Sequence, residues 1–200
     1  MIESIEALRR VYSEAKGRAV RKQIDHIDAH CARFIALSPF VVIASVDAQG
    51  ALDASPRGGV PGFVRVADAR TLLIADSPGN NRLDTLTNII ATGSVGLLFM
   101  IPGVDETLRV NGRARLNDDA AVLATFADEK RTPKLVIEIT VIDAYLHCAK
   151  AFMRSQLWNA ASVVDRAALP TMGEMLSDQT GMPGAPETPA EMRARYAMDL

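Results

Sequence analysis

Apolar residues recur along the chain with two different periods, and the period changes near residue 38. Before that point they fall three or four residues apart, as on one face of a helix, at Ile5, Leu8, Tyr12, Ile24, Ile27, Cys31, Phe34 and Ile35. Gly17 is expected to separate two helices there. Ser38-Pro39 is expected to end the second helix, because a residue before proline avoids the α region.

The middle of the chain, from about Phe40 to Cys148, has the pattern of short strands. Apolar and β-branched runs, separated by turns, predict strands at 40–46, 51–55, 71–75, 94–101, 108–116 and 136–142. Two helices are expected between them, one marked by Leu83, Leu86, Ile89 and Ile90 and the other at 118–128. Strands at this spacing indicate an antiparallel barrel or sandwich rather than βαβ units.

The last fifty residues look irregular or helical. A Pro/Gly-rich loop at 181–186 precedes a final helix that starts near Pro189 and covers 191–197. The apolar stripes of both ends are too narrow for an independent core. We therefore expect one domain over 1–200, with the N-terminal helices (1–38) and the C-terminal segment (149–200) packed on a barrel core (40–148) and lining its cleft.

Composition narrows the function classes. The chain has 200 residues, with 22 Lys and Arg against 24 Asp and Glu, so its net charge of -2 predicts no general attraction to nucleic acid or an anionic membrane. Any bound anion needs a local cluster. Cys31 and Cys148 lie far apart and form no metal-type pair, which is typical of free thiols. With neither a membrane-length apolar run nor a signal peptide in sight, we expect a cytoplasmic protein.

Three arginine-bearing segments carry the candidate chemistry. The first is Ser55-Pro56-Arg57-Gly58-Gly59, where an arginine follows a strand beside two glycines. Glycines let a ligand approach the backbone closely, and the guanidinium fork fits phosphate oxygens. The alternative is an ordinary glycine loop with a solvated arginine.

The second segment, Asp76 to Leu83, leaves a strand, turns at Pro78-Gly79 and enters a helix. Ser77, Asn80 or Asn81 could cap that helix, whose free N–H groups would suit an anion. Arg82 is expected in the first turn, where the helix dipole disfavours a cation unless a phosphate is bound nearby. The alternative is a capped surface helix.

The third segment, 150–159, contains the only tryptophan. Arg154 and Trp158 are four residues apart and share a face if the segment is helical. A planar cation beside an indole suits a flat, electron-poor ring such as a flavin. The alternative is that Trp158 anchors the C-terminal segment to the core.

No other constellation indicates a catalytic or metal site. His26 and His30 are four apart, but Asp28 does not share their face, so we predict no metal site. Neither a phosphate-binding loop motif nor a nucleophile motif is present, and we assign no catalytic residue. This pattern fits chemistry carried by a cofactor.

Four stretches of the sequence, in the same order along the chain, resemble those of a known family. They are 53–59, 73–82, 95–103 with 107–112, and 148–158. The sequence is similar, from about Phe34 to Gly181, to the pyridoxamine 5′-phosphate oxidase-like superfamily of FMN-binding split barrels, and within it to FMN-dependent enzymes without an assigned substrate.

The resemblance implies a mainly β fold, a six-stranded antiparallel split β-barrel with flanking helices, that forms a homodimer with FMN in two clefts between subunits. It implies cofactor-binding residues in the first FMN strand, the phosphate turn, a strand from the other subunit and the C-terminal segment: Ser55, Pro56, Arg57, Asp76, Ser77, Asn81, Arg82, Arg109, Asn111, Arg154 and Trp158. Leu83 stands where the vitamin B6 oxidases have a lysine, which argues against that activity.

Three functions remain open at this stage. The first is an FMN-dependent oxidoreductase acting on a small molecule, with NADH or NADPH as a candidate electron donor. The second is a flavin-binding sensor or carrier without turnover. The third is a relative that uses a deazaflavin, for which Arg18, Arg21 and Lys22 could supply charge, or haem, for which His147 or His26 would be the axial ligand.

Overall fold

The computed structural model describes residues 1–77 and 79–199. Its helices are α1 (Ile5–Val11), α2 (Arg18–Arg21), α3 (Ala29–Leu37), α4 (Asp84–Thr92), α5 (Ala120–Ala124), α6 (Lys150–Ser155), α7 (Met172–Thr180) and α8 (Pro189–Tyr196). Its strands are β1 (Phe40–Val46), β2 (Leu52–Gly58), β3 (Val64–Asp68), β4 (Thr71–Ala75), β5 (Ser94–Met100), β6 (Thr107–Asn117) and β7 (Val136–His147). Two short 3-10 turns, Ala160–Ser162 and Arg166–Ala168, follow α6.

All seven strands pair antiparallel in one sheet, in the order β2-β1-β5-β6-β7-β4-β3. The prediction of a mainly β, antiparallel fold with flanking helices is confirmed. The expected six-stranded barrel needs correction, because β3 adds a seventh strand and the edge strands β2 and β3 are not paired with each other in the described chain. Strand β3 pairs with β4 in a hairpin, with Val64 opposite Ile74 and Val66 opposite Leu72. The alternation of apolar residues at Val64 and Val66 is too short to predict a strand from the sequence alone.

One face of the sheet covers the hydrophobic core. Its residues alternate with exposed ones on β1 and β5 and include Val41, Ile43, Leu97 and Phe99 among the most buried side chains. Helices α3 and α4 pack on this inner face, α3 through Cys31 and Ile35 and α4 through Leu86 and Ile89. The sheet curves around this core, so that strands β1 and β4, which are not neighbours, contribute to the same apolar cluster.

The N-terminal segment is less helical than its apolar spacing predicts. Ile24 pairs with Ala144 as a short extension of the sheet, and α3 begins only at Ala29 because the Asp28 carboxylate caps it by accepting the N–H of Cys31. Helix α3 ends at Leu37, with Ser38 as its C-cap, as predicted from Ser38-Pro39. Strand β4 pairs with β7 only at residues 136–140. Beyond that point the same edge of β7 is partly covered by Ile24, which precedes the sheet in sequence.

The C-terminal segment makes few contacts with the sheet. Helices α7 and α8 each begin with a capping box, Thr171 with Glu174 and Thr188 with Glu191, and none of their residues is buried. Helix α7 was not predicted, although its capping box is visible in the sequence. The single-domain organisation over 1–200 stays a prediction. Within the described residues, no helix has the length and apolar character to cross a membrane.

Candidate functional site

A hydrogen-bond network centred on Asp53 fixes the start of α4 against β2. Strand register places Asp53 opposite Ser45, so both side chains lie on the inner face under α4. The Asp53 carboxylate accepts from the Ser55 hydroxyl at 3.0–3.1 Å and from the Thr85 hydroxyl at 2.7 Å. Asn88, one turn further along α4, donates to Ser45 at 3.0 Å. These bonds keep the first turn of α4 beside the middle of β2.

The loop that leads into α4 has an unusual backbone. Asn81 and Leu83 both adopt positive φ, 58° and 60°, and flank Arg82. Such left-handed residues other than glycine are uncommon and are often found at ligand sites. Arg82 donates its backbone N–H to the Asn80 side chain at 3.0 Å and its Nε to Asp84 at 2.7 Å. The loop therefore holds Arg82 at the entrance of the helix.

The N-terminus of α4 has no side-chain cap. Its N-cap residue is Leu83, whose side chain cannot accept a hydrogen bond. The prediction that Ser77, Asn80 or Asn81 caps this helix is wrong, because Leu83 separates them from Asp84. Arg82 also lies two residues before the helix rather than in its first turn. A helix start with uncapped N–H groups and an adjacent cation is a suitable site for an anion, even with Asp84 in the first turn.

Arg57 and Asp76 link opposite parts of the curved sheet. Register with Val41 puts Arg57 on the inner face, like Ser55, while Pro56 between them faces outward. Burial raises the pKa of Asp76, and the positive charges of Arg57 and then Lys134 act against that rise. Arg57 is the last residue but one of β2 and Asp76 follows β4, so the charge of Arg57 acts on the loop after β4. Ser77 follows Asp76 and is exposed.

Arg109 and Asn111 lie on the outer face of the sheet, opposite Arg57 and Ser55. On β6 they alternate with the buried residues Leu108 and Val110. Arg109 donates to the Tyr145 hydroxyl at 2.8 Å, and Asn111 donates to the Asp143 carboxylate at 2.9 Å. In a single copy they therefore lie on the face opposite to Arg57 and Ser55.

Lys22 and His147 also lie beside Tyr145, and sequence reasoning did not place them there. Lys22 Nζ donates to the Leu146 carbonyl at 2.6 Å and lies 5.3 Å from the Tyr145 ring centroid. The His147 ring is 5.0 Å from the Tyr145 ring. Burial, followed by the charges of Arg109 and Lys22, lowers the pKa of His147. Nothing in the sequence marks this cluster, because the pairing of Ile24 with Ala144 creates it.

The structure does not place Arg154 and Trp158 on one helical face. Helix α6 ends at Ser155, and Gln156 adopts a left-handed conformation with φ 49° that turns the chain before Trp158. The Trp158 indole stacks on Phe152, with ring centroids 5.5 Å apart, and donates to the Val104 carbonyl at 2.9 Å. A concavity of about 370 Å³ lies beside it and includes none of the predicted arginines. Trp158 thus anchors this segment to the β5–β6 loop.

His26 and His30 do not share a helix, because α3 starts at Ala29, and His26 lies against Asp25 instead. In residues 1–77 and 79–199 no three His, Cys, Asp or Glu side chains are grouped so as to hold a metal ion. Both cysteines are free. Burial raises the pKa of the Cys31 thiol to about 11, as expected for an unreactive core cysteine.

The fold is a seven-stranded antiparallel sheet with flanking helices, and the helix α4 packed on it begins without a side-chain cap. The family model described as pyridoxamine 5′-phosphate oxidase matches residues 27–148, which is more than half of the chain. The chain belongs to this family, so the resemblance seen in the sequence is confirmed.

Solved structures support the same fold. HupZ from Group A Streptococcus is 20% identical and gives a TM-score of 0.50, with 59% of this chain and 91% of that chain covered. The FAD binding protein from Mycobacterium smegmatis is 16% identical and gives a TM-score of 0.43, with 62% of this chain and 97% of that chain covered. The similarity to HupZ supports the fold alone. The similarity to the FAD binding protein is too distant to support an argument. No curated protein matches the chain.

The Asp53 network gives a direct prediction on stability. Thr85→Val removes the hydroxyl that donates to Asp53 and leaves a partly buried carboxylate short of a donor. We expect the free energy of unfolding to fall by about 1–3 kcal/mol, as measured by urea denaturation. Thr87→Val is the matched control, because Thr87 is exposed on the same helix and should change stability little. Equal losses in the two variants would show that the network does not hold α4.

Proposed function

We propose that the protein binds FMN and acts as an FMN-dependent oxidoreductase on a small molecule. The observation that carries this proposal is the uncapped start of α4 beside Arg82. Thr85 ties this helix start to Asp53 on β2, and Arg57 lies on the same inner face of that strand. Membership of the pyridoxamine 5′-phosphate oxidase family supports it. FMN ends in a phosphate monoester, and free helix N–H groups with converging guanidinium groups form the donor set that such a phosphate takes.

Different residues would contact different parts of the cofactor. Arg57 and Arg82 would hold the phosphate, with the hydroxyls of Ser55 and Ser77 and the backbone near Asn81 as further donors. Asp76, whose raised pKa reflects a partly dry position between β4 and α4, would limit water at the phosphate. Pro56 would set the path of β2 past the ligand, since its ring fixes φ.

The ring end of the cofactor would be completed by a second copy of the chain. Arg109 and Asn111 cannot reach the inner face of their own sheet, so they would contact the flavin held by a partner. Arg154 and Trp158 would border the same cleft from the C-terminal segment. This division of the site requires a homodimer.

The outer face of the sheet has the character of such an interface. Alternation along β1, β2 and β5 turns a patch of small and apolar residues outward, comprising Val42, Ala44, Val46, Leu52, Ala54, Pro56, Gly96 and Leu98. Leu52 is 85% exposed in the single chain. Arg109 pairs with Leu98 across the ladder, so the predicted ring contacts border this patch. Contiguous apolar surface of this kind is typical of permanent homodimers.

When bound, FMN would supply the redox chemistry, and the protein would position the reactants. Arg154 would orient an anionic or carbonyl-bearing substrate, and Trp158 would shield the ring from water. NADH or NADPH would be the electron donor. A flavin carrier without turnover and a relative that uses a deazaflavin or haem are the competing functions.

The phosphate assignment predicts the effect of losing Arg82. Arg82→Ala should weaken FMN binding by about 2–4 kcal/mol, the range for removing one partner of a charge-assisted pair, as measured by calorimetry. Arg115→Ala is the control, because Arg115 pairs with Glu138 on the outer face, away from the loop. FMN binding that is equally tight in parent and Arg82→Ala would refute this placement of the phosphate.

The dimer assignment predicts the effect of a charge at the centre of the apolar patch. Ala44 lies between Ala54 and Gly96, where a close contact leaves no room for a long side chain. Ala44→Arg should convert the dimer to a 21.5 kDa monomer in light scattering at micromolar concentration. Ala69→Arg, in the exposed β3–β4 turn, should remain dimeric. A parent protein that is itself monomeric would contradict the shared site.

Turnover can be separated from simple binding under anaerobic conditions. The FMN-loaded protein is mixed with NADH or NADPH, flavin bleaching is followed, and candidate acceptors are then added. We expect reduction by one of the two donors and reoxidation by an acceptor. FMN that binds tightly but is reduced by neither donor would favour the carrier over the oxidoreductase.

A further inference from the structure

The Tyr145 cluster on the outer face holds two cations that have no acidic partner among the described residues. Lys22 and Arg109 are 87 positions apart in sequence, yet their charged groups lie 5.3 and 5.9 Å from the centroid of the same Tyr145 ring. Their hydrogen bonds go to neutral atoms, the Leu146 carbonyl and the Tyr145 hydroxyl. Neither hydrogen bond neutralises the positive charge of its donor.

Two arginines elsewhere on the sheet have carboxylate partners. Arg115 pairs with Glu138 at 2.7 Å, and Arg65 pairs with Asp128 at 2.6 Å. In the described part of the chain no carboxylate comes within ion-pair distance of Lys22 or Arg109. The acidic side chain nearest along β7 is Asp143, which accepts from Asn111. The Tyr145 cluster therefore brings two cations without a carboxylate partner among the described residues to one aromatic ring.

The groups around the Tyr145 cluster are positively charged or neutral. His147 stacks beside Tyr145, and its lowered pKa keeps the imidazole neutral near pH 7, with one ring nitrogen free to donate. Lys150 and Lys22 both lie near enough to Cys148 to lower the pKa of that thiol. Around the Tyr145 ring the cluster therefore offers a guanidinium, an ammonium, a phenol hydroxyl and an imidazole. This donor set matches an oxyanion.

We propose that Lys22, Arg109, Tyr145 and His147 form a subsite for one oxyanion, either a carboxylate or a phosphate group. Identifying that group as part of the small-molecule substrate rests on the proposed function, in which Arg109 faces the flavin of the other copy. The substrate class is then an acid or a phosphate ester rather than a neutral molecule. Arg109 would bind the oxyanion, and Tyr145 would position the guanidinium through its hydroxyl.

The test uses His147 as a local reporter. The full-length protein is titrated with sodium phosphate, and separately with sodium acetate, at constant ionic strength kept with sodium chloride. The His147 imidazole signal is followed by NMR and assigned as the resonance that His147→Gln lacks. We expect a saturable shift and a rise in the pKa of His147, since a bound anion favours the charged imidazole. The tighter of the two anions identifies the oxyanion as phosphate or carboxylate.

Variants show whether the named residues bind the anion. Arg109→Gln and Lys22→Gln should each weaken it by about tenfold. Arg113→Gln is the matched control, because Arg113 lies on the same strand and face but donates to Ser94, and it should change affinity less than about twofold. Shifts that stay linear with both anions, or that are unchanged in Arg109→Gln and Lys22→Gln, would overturn the subsite.

A second readout separates this inference from the proposed function. In FMN-loaded protein, the anion that saturates His147 should also shift the visible flavin absorption, and Arg109→Gln should abolish that shift. A saturable His147 signal with an unchanged flavin spectrum would overturn the substrate assignment. Failure of the protein to bind FMN at all, with His147 still responding, would overturn the proposed function and leave the oxyanion subsite supported.

Discussion

The attachment of α4 to β2 through the Asp53 carboxylate is the interaction on which the candidate site depends. Asp53 accepts hydrogen bonds from Ser55 on its own strand and from Thr85 in the first turn of α4. A carboxylate that is partly removed from water needs these donors. Because the bonds fix where α4 starts, they also fix where the uncapped N–H groups of its first turn lie relative to β2. The proposed phosphate site depends on this placement.

The backbone before α4 shows the same constraint from another side. Leu83 occupies the N-cap position with positive φ, which gives up both a favourable backbone conformation and a side-chain cap. A serine or aspartate there would stabilise the free protein better, but it would also occupy the N–H groups. An arrangement that leaves these groups free fits a helix start that binds an external anion.

The two faces of the sheet explain why a single copy keeps the predicted site residues apart. Alternation along a strand sends neighbouring residues to opposite faces, so Ser55 and Arg57 lie inside with α4 while Arg109 and Asn111 lie outside. The small residues at the centre of the outer face allow a second sheet to approach closely. Under the proposed dimer, the residues that a single chain keeps apart would meet across the interface.

The sequence predicted six of the seven strands and both helices that cover the core, because their apolar periods are long and regular. Strand β3 was not predicted, because its run of alternating apolar residues is short and forms a strand only by pairing with β4. Ile24 and Ile27 have the spacing of a helix, but the segment is not helical. Ile24 pairs with Ala144 at the edge of β7, and the Asp28 cap starts α3 after this segment. Arg57 and Arg82 could be selected from local composition. The Tyr145 cluster could not, because it depends on contacts across more than 100 residues of sequence.

The predicted helical pairing of Arg154 with Trp158 was wrong for a local reason. A periodicity argument assumes that the helix continues, and the left-handed turn at Gln156 ends α6 first. The same limit applies to the helix cap before α4, where three polar residues were available and the chain used Leu83 instead. Backbone conformation at helix ends is set by tertiary packing more than by the nearby sequence.

The central claim is that the chain binds FMN, and mass spectrometry of the small molecule released from purified, denatured protein tests it most directly. The protein is expressed without added cofactor, freed of loosely bound material and unfolded, and the supernatant is measured. The account predicts FMN as the released species, in about one copy for each chain. Release of a deazaflavin or haem in its place, or recovery of a colourless protein that takes up no added FMN, would contradict it.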